Sequence, residues 1–223
     1  ALRNGTGIID LHGTTMLTLT GDDVRRWANG MFTNALKKIQ AGAGNRNAMC
    51  DDRGRLQALA DVYCLRADHL ALIMEGKEHD WFEERYRMYL MLDDIELDSL
   101  EDTHALLSLQ GPQAPAALEA LDLPLPSKAH TLAEGAWEGV RVCKRDRTGL
   151  GGFDLIVPLA QLDSLWEAAV ARGCTPFGHD AQEALRIFAG QASWPADGTD
   201  KSMVHELRLE GQVCNFSKGC YVG

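Results

Sequence analysis

The sequence predicts an α+β protein built from two ferredoxin-like halves. Strand-type and helix-type periodicities alternate along the chain in the order β-α-β-β-α-β, and the same order then starts again. The strand-to-helix turns of the two halves carry glycines at Gly21 and Gly111, 90 positions apart. The repeat lies in element order, not in residue identity.

Each element has a local reason. Thr15–Thr20 alternates large apolar and polar side chains, a strand pattern. Gly21-Asp22-Asp23 turns the chain and places acidic groups at a helix start, after which Val24, Trp27, Ala28 and Met31 recur at helical spacing. Asp51–Gly54 is a turn. Residues 56–65 and 70–74 read as two strands joined through Arg66–His69. A helix follows with Trp81, Phe82, Tyr86 and Tyr89 on one stripe, and 95–100 alternates as a strand. In the second half, 105–109 is a strand broken by Gln110-Gly111-Pro112, and Ala116, Ala117 and Leu121 mark a helix. Residues 140–144 and 153–157 form a hairpin across the glycine-rich 148–152 turn, and Leu162, Leu165, Trp166, Ala169 and Val170 give a helix face. Prolines at 124 and 126 preclude a regular helix there. The expected divisions are residues 1–102, 103–175 and a helical and loop tail over 176–223. That tail opens with a helix bearing Ala181, Ala184, Leu185 and Phe188. It then runs irregularly from Gly190 to Ser202, a length uncommon unless functional or packed.

Composition narrows the function classes. The 223 residues carry 22 Lys+Arg against 32 Asp+Glu, a net charge of −10, with 45% apolar content. That is ordinary globular composition and excludes disorder and coiled-coil readings. The negative balance argues against nucleic-acid binding, and the one basic run, Lys144-Arg145-Asp146-Arg147, reads as a solvated hairpin. No apolar run approaches a membrane helix, so no membrane partner is expected. No leader opens the sequence at Ala1-Leu2-Arg3, and a cytoplasmic location is expected. The six cysteines lack C-x2-C spacing, so reduced thiols are expected and no metal site is. The seven histidines are scattered, and neither a G-x-S-x-G elbow nor a dinucleotide fingerprint is present.

The most informative segment is Lys218-Gly219-Cys220-Tyr221-Val222-Gly223. Glycines flank Cys220, Lys218 stands near enough to favour a thiolate, and Tyr221 adds an aromatic surface; a structural loop cysteine is the alternative. This hexapeptide resembles the K-G-C-[YF]-x-G signature of the YgfZ family, folate-binding proteins of iron–sulfur cluster maintenance related to the glycine-cleavage T-protein. Cys50-Asp51-Asp52-Arg53-Gly54-Arg55, Leu109-Gln110-Gly111-Pro112 and Leu185-Arg186-Ile187-Phe188-Ala189-Gly190 are similar to other family segments and occur in family order. The resemblance implies a T-protein-type folate-binding domain, followed in the family by a C-terminal β-barrel that is absent from this chain. It implies tetrahydrofolate, or a one-carbon derivative, bound between the two halves. It also implies iron–sulfur enzymes or assembly factors as partners, with Cys220 and Lys218 as the catalytic pair.

The resemblance assigns a folate site to particular residues. Asp154, after Gly151-Gly152-Phe153, stands where T-protein relatives hold the pterin ring through a carboxylate, with Phe153 beside it; an ordinary strand aspartate is the alternative. Arg186 suits a folate carboxylate or an internal ion pair. Glu206 and Tyr221 complete the candidate cofactor contacts, with a solvated glutamate as the alternative at 206. One departure argues against aminomethyl transfer. Gln57 and Ala58 occupy the places of the T-protein Asp-Asp pair, and neither can act as a base or stabilise an iminium. Asp61, three residues on, faces the other way along a strand. A folate-dependent aminomethyltransferase or demethylase, and a non-catalytic binding module, remain the other readings.

Overall fold

The computed structural model describes residues 2–222. In chain order its elements are β1 (Gly7–Asp10), β2 (Thr15–Thr20), α1 (Val24–Met31), β3 (Gly44–Cys50), β4 (Leu56–Arg66), β5 (His69–Glu75), α2 (His79–Leu90) and β6 (Glu96–Ser99). Then come β7 (His104–Gln110), α3 (Ala114–Ala120), β8 (Leu132–Glu134), β9 (Arg141–Lys144), β10 (Gly152–Pro158), α4 (Leu162–Ala171), β11 (Thr175–Pro176), α5 (His179–Phe188) and α6 (Glu210–Val213). Short 3-10 turns cover Leu159–Gln161 and Val204–Leu207. Two compact units form, Ala1–Gly13 with Asp102–Gln191 and Thr14–Glu101 with Ala192–Gly223.

The second unit holds a sheet in the order β3-β4-β5-β2-β6. Without the edge strand β3, this is the ferredoxin-like order of a β-α-β-β-α-β chain. Strand alternation sends Leu17, Leu19, Ala58, Ala60, Val62, Leu70 and Leu72 to one face. They pack there against Val24, Trp27 and Ala28 of α1 and Phe82 and Tyr86 of α2. Trp27, Phe32, Phe82 and Tyr86 form an aromatic knot with ring centroids 4.7–6.4 Å apart. β3 has no apolar alternation in its Gly-Asn-Arg-Asn start. It is held instead by its ladder to β4 and by side chains: Asn45 Nδ2 donates to the Ala35 carbonyl (2.8 Å), and Asn47 Oδ1 accepts from the Asn34 N–H (2.9 Å).

The first unit holds the order β11-β1-β7-β10-β9-β8. The place of a fourth ferredoxin-like strand beside β7 is taken by β1, antiparallel with Gly7 opposite Gln110 and Asp10 opposite Leu107. β11 adds only two residues, parallel to β1. The contiguous division at 102 and 175 therefore differs from the compact units. The first thirteen residues belong with 102–191, and the tail divides after Gln191. The cause is long-range pairing: β1 finds its ladder nearly a hundred residues away, which no local pattern announces.

Both strand-to-helix turns require glycine. Gly21 has φ +135° and Gly111 φ +126°, and a Cβ on either would meet a backbone carbonyl oxygen, that of Asp94 at 1.9 Å and that of Gly5 at 2.3 Å. The long stretch after Gly190 is packed. Trp194 Nε1 donates to the Gln57 carbonyl (2.8 Å), Leu56 N–H donates to Ser202 O (2.8 Å), and Met203 bridges Arg55. Trp194, Val204, Leu209 and Val213 then join Ala48, Cys50, Leu56 and Leu59 in one apolar cluster. Among the described residues no helix is long and apolar enough to cross a membrane.

Candidate functional site

The C-terminal motif is anchored in the second unit, and its Gly223 lies outside the described residues. The Lys218 ammonium donates to the carbonyls of Asn29 (2.5 Å), Phe32 and Asn34 (3.1 Å), at and just beyond the last turn of α1. A cation there meets helix carbonyls left without an N–H partner. Val222 N–H donates to Gly30 O and Asn215 N–H to Thr33 O, so the motif lies against the same segment. Burial pulls the Lys218 amine down to about 8, against a smaller upward pull from Cys214. Lys218 also lies over the Tyr221 ring, 5.4 Å from its centroid. Its hydrogen bonds thus go to backbone oxygens, and its ammonium is the clamp that seats the motif.

Cys220 is exposed, while Cys50, Cys64, Cys143 and Cys174 are buried and Cys214 half-buried, all as free thiols. Burial pushes the Cys50 thiol up to about 12, with Cys214 and Asp51 adding to the shift. Thr33, Cys214, Asn215, Phe216, Lys218, Cys220 and Tyr221 border a cleft of 390 Å³. Tyr221 is half-buried against the Trp194 cluster, and this burial raises its phenol. Lys218, Cys220 and Tyr221 are therefore brought together.

Asp154 sits in the first unit on β10. Its carboxylate has no exposed surface and is gripped by Arg147: Nε lies 2.9 Å from Oδ1 and 3.1 Å from Oδ2, and Nη2 2.8 Å from Oδ2. Ser108 Oγ donates a further bond to Oδ1 (2.8 Å). Gln110 closes the network, donating to Ser108 Oγ and the Arg145 carbonyl and accepting from the Arg147 N–H. One expectation is corrected: Arg147 is not part of a solvated basic hairpin, because the turn folds it inward onto Asp154. Phe153, expected as a cofactor contact beside Asp154, has its ring turned by strand alternation to the opposite face of the sheet, into the helix-covered core with Leu109, Leu155 and Leu165.

Arg186 is buried near the end of α5. It forms a two-bond pair with Glu183 (Nε–Oε1 2.7 Å, Nη2–Oε2 2.6 Å), and its Nη1 donates to Gln191 O (3.1 Å). Of the two roles open to it, the internal ion pair is the one built. Glu206 is exposed and caps the 3-10 turn, accepting from Met203 N–H (2.7 Å). Ala58 packs in the helix-side core, and the Gln57 side chain reaches backbone carbonyls at 55 and 56. Asp61 points to the other face of β4, where it lies 3.7 Å from Arg46; Arg46 also pairs with Glu75 at 2.9 Å. This Arg46–Asp61–Glu75 group and the Arg147–Asp154–Ser108–Gln110 group went unread in the sequence. The available signal was charge in strand sequence: Arg46 opposes Asp61 across the β3–β4 register, and Arg147 precedes Asp154 across a glycine turn. Among the described residues no three His, Cys, Asp or Glu side chains are grouped to hold a metal.

Two ferredoxin-like units, each with a buried guanidinium–carboxylate group on the face of its sheet opposite its main helix-packed core, define an α+β protein of the duplicated βαββαβ class. The model of the GCVT N-terminal domain matches residues 1–218, and the chain belongs to that family. It is 26% identical to an aminomethyltransferase of Herpetosiphon aurantiacus, a match covering 100% of this chain and 63% of the relative. It is 28% identical to an aminomethyltransferase of Lysinibacillus sphaericus, over 85% of this chain and 54% of the relative. The chain thus spans little more than half the length of the curated relatives it matches. The crystal structure of the glycine cleavage system aminomethyltransferase T from Bartonella henselae superposes with a TM-score of 0.84 at 18% identity, covering 95% of this chain and 61% of that one. That likeness establishes the shared fold.

Proposed function

We propose that the chain is the folate-binding part of a one-carbon protein of the aminomethyltransferase type, taking tetrahydrofolate or a one-carbon derivative of it. The observation that carries this reading is the family match, which runs from residue 1 to 218 and is accompanied by relatives named aminomethyltransferase. The contacts expected from sequence do not fit folate directly. The Asp154 carboxylate is saturated by Arg147 and Ser108, and the Arg186 guanidinium by Glu183 and a backbone carbonyl. A pterin edge needs a carboxylate with two acceptors to offer, so these two residues are read as internal ion-pair partners and not as ligand contacts. No chemical step is assigned to them.

A second reading, thiol-dependent support of iron–sulfur enzymes as in YgfZ-like proteins, is favoured by one observation: Cys220 is the exposed thiol on a turn clamped by Lys218. The two readings separate experimentally. Equilibrium dialysis of the whole chain against radiolabelled 5-formyltetrahydrofolate is expected to show saturable micromolar binding; absence of saturation removes both folate readings. Formation of methylenetetrahydrofolate from an aminomethyl donor then supports transfer. Folate binding without that product, joined to loss of iron–sulfur enzyme activity in a strain carrying Cys220→Ala, supports the second reading.

A further inference from the structure

We infer that the groove between α2 and the edge strand β6 is a docking surface for a cationic amphipathic helix of a partner protein. The groove has a volume of 360 Å³ and is bordered by His79, Glu83, Arg87 and Met91 from one side of the helix and by Ile95 and Leu97 leading into β6. Immediately beside it the end of α2 exposes large apolar side chains: Met88 is 70% exposed, Met91 75% and Leu92 81%, with Tyr89 next to them. Scattered apolar residues on a surface are ordinary, but four within five positions at the lip of a groove form a patch. Methionines suit such a patch, because the unbranched thioether adapts to different partner side chains.

Charge selects the occupant. Residues 78–98 carry eight carboxylates against two arginines, so this segment holds −6 of the chain's net −10. Arg87 is matched by Glu83 at 3.5 Å on the helix and Asp93 by Arg26; Asp80 and Glu84 on α2 and Asp94 just beyond it are exposed on the flank of the apolar lip, while Glu96 and Asp98 alternate to the face of β6 opposite Leu97. An apolar floor with an acidic rim is complementary to a helix with leucine-type anchors on one face and lysine or arginine on its flanks. An acidic partner would meet like charge. A second copy of this chain would place two such acidic rims against one another.

The test uses the whole chain and a fluorescent synthetic Leu/Lys amphipathic helix of about five turns. A scrambled peptide of the same composition serves as control. Saturable one-to-one binding of the amphipathic peptide is expected, with the scrambled one at least about tenfold weaker. Leu92→Asp is expected to weaken binding by about tenfold or more while leaving the melting temperature unchanged, since the side chain is exposed. Glu84→Gln with Asp94→Asn is expected to weaken binding at low salt and to flatten its salt dependence. Equal binding of the scrambled peptide overturns the proposal, as does wild-type affinity in Leu92→Asp. A wild-type dimer in sedimentation that Leu92→Asp dissociates would assign the patch to a second copy, and would also overturn it.

Discussion

Replacing Arg147 by methionine removes one half of the most enclosed ion pair in the first unit. Asp154 has no exposed surface, and Arg147 supplies three of its hydrogen bonds at 2.8–3.1 Å. Ser108 supplies one more, which alone does not balance a buried carboxylate. Leaving such a charge without its partner costs about 3–5 kcal/mol. For a chain of this size each kcal/mol moves the melting temperature by roughly 2–4 °C, so a fall of roughly 6–20 °C is expected. Thermal melting followed by circular dichroism reads this directly. The double variant Arg147→Met with Asp154→Leu removes both charges and is expected to recover most of the loss, because no buried charge is then left unpaired and Ser108 Oγ keeps the Phe153 carbonyl as an acceptor. An Arg147→Met protein that melts within about 2 °C of wild type would refute the structural role of the pair. Asp154→Asn separates the two accounts of this residue: a ligand-holding carboxylate predicts weaker folate binding at unchanged stability, whereas the pair predicts a large stability loss.

Four further outcomes are expected. Lys218→Met leaves the carbonyls of Asn29, Phe32 and Asn34 without their ammonium, at about 1–3 kcal/mol for a buried group left unpaired; hydrogen exchange at the Asn215 and Val222 amides is expected to accelerate. At pH 8 an aromatic disulfide reagent is expected to titrate Cys220 rapidly and Cys214 slowly, with Cys50, Cys64, Cys143 and Cys174 reacting only on unfolding. Cys50 rises from 9.0 to about 12 on folding; the unfolded chain therefore loses this proton first, and the stability it contributes is present below pH 9 and lost as the pH rises toward 12, so Cys50→Ala is expected to flatten the alkaline fall in melting temperature. Gly152→Ala is expected to destabilise by about 1–3 kcal/mol, because its Cβ would lie 2.3–2.4 Å from the Gln110 side chain that closes the Asp154 network.

Periodicity read the helices of both halves and the β4–β5 and β9–β10 hairpins correctly, because each buries one face locally and repeats at 3.6 or 2 residues. β1, β3, β8 and β11 were not legible. They are short or polar, and ladder partners supplied by other segments stabilise them. The candidate site divides the same way. The C-terminal motif stood out by its residue types and does form one cleft. Asp154, Arg186 and Glu206 were found as positions, but their partners Arg147, Glu183 and the Met203 amide were not, because hydrogen-bond commitment depends on which groups approach in space.

What the sequence alone determined is the repeated α+β order, the strand-to-helix turns marked by glycines at 21 and 111, and the presence of one distinctive thiol near the C-terminus. These follow from side-chain period, backbone conformation and chemistry carried within a few residues. Only the tertiary structure decided that β1 closes the sheet of residues 102–191, that the tail beyond Gln191 packs on β3 and β4, and that Lys218 clamps α1. It also decided that Asp154 is an ion-pair partner. Each of these is a pairing between residues distant in sequence, whose free energy exists only once the chain has brought them together.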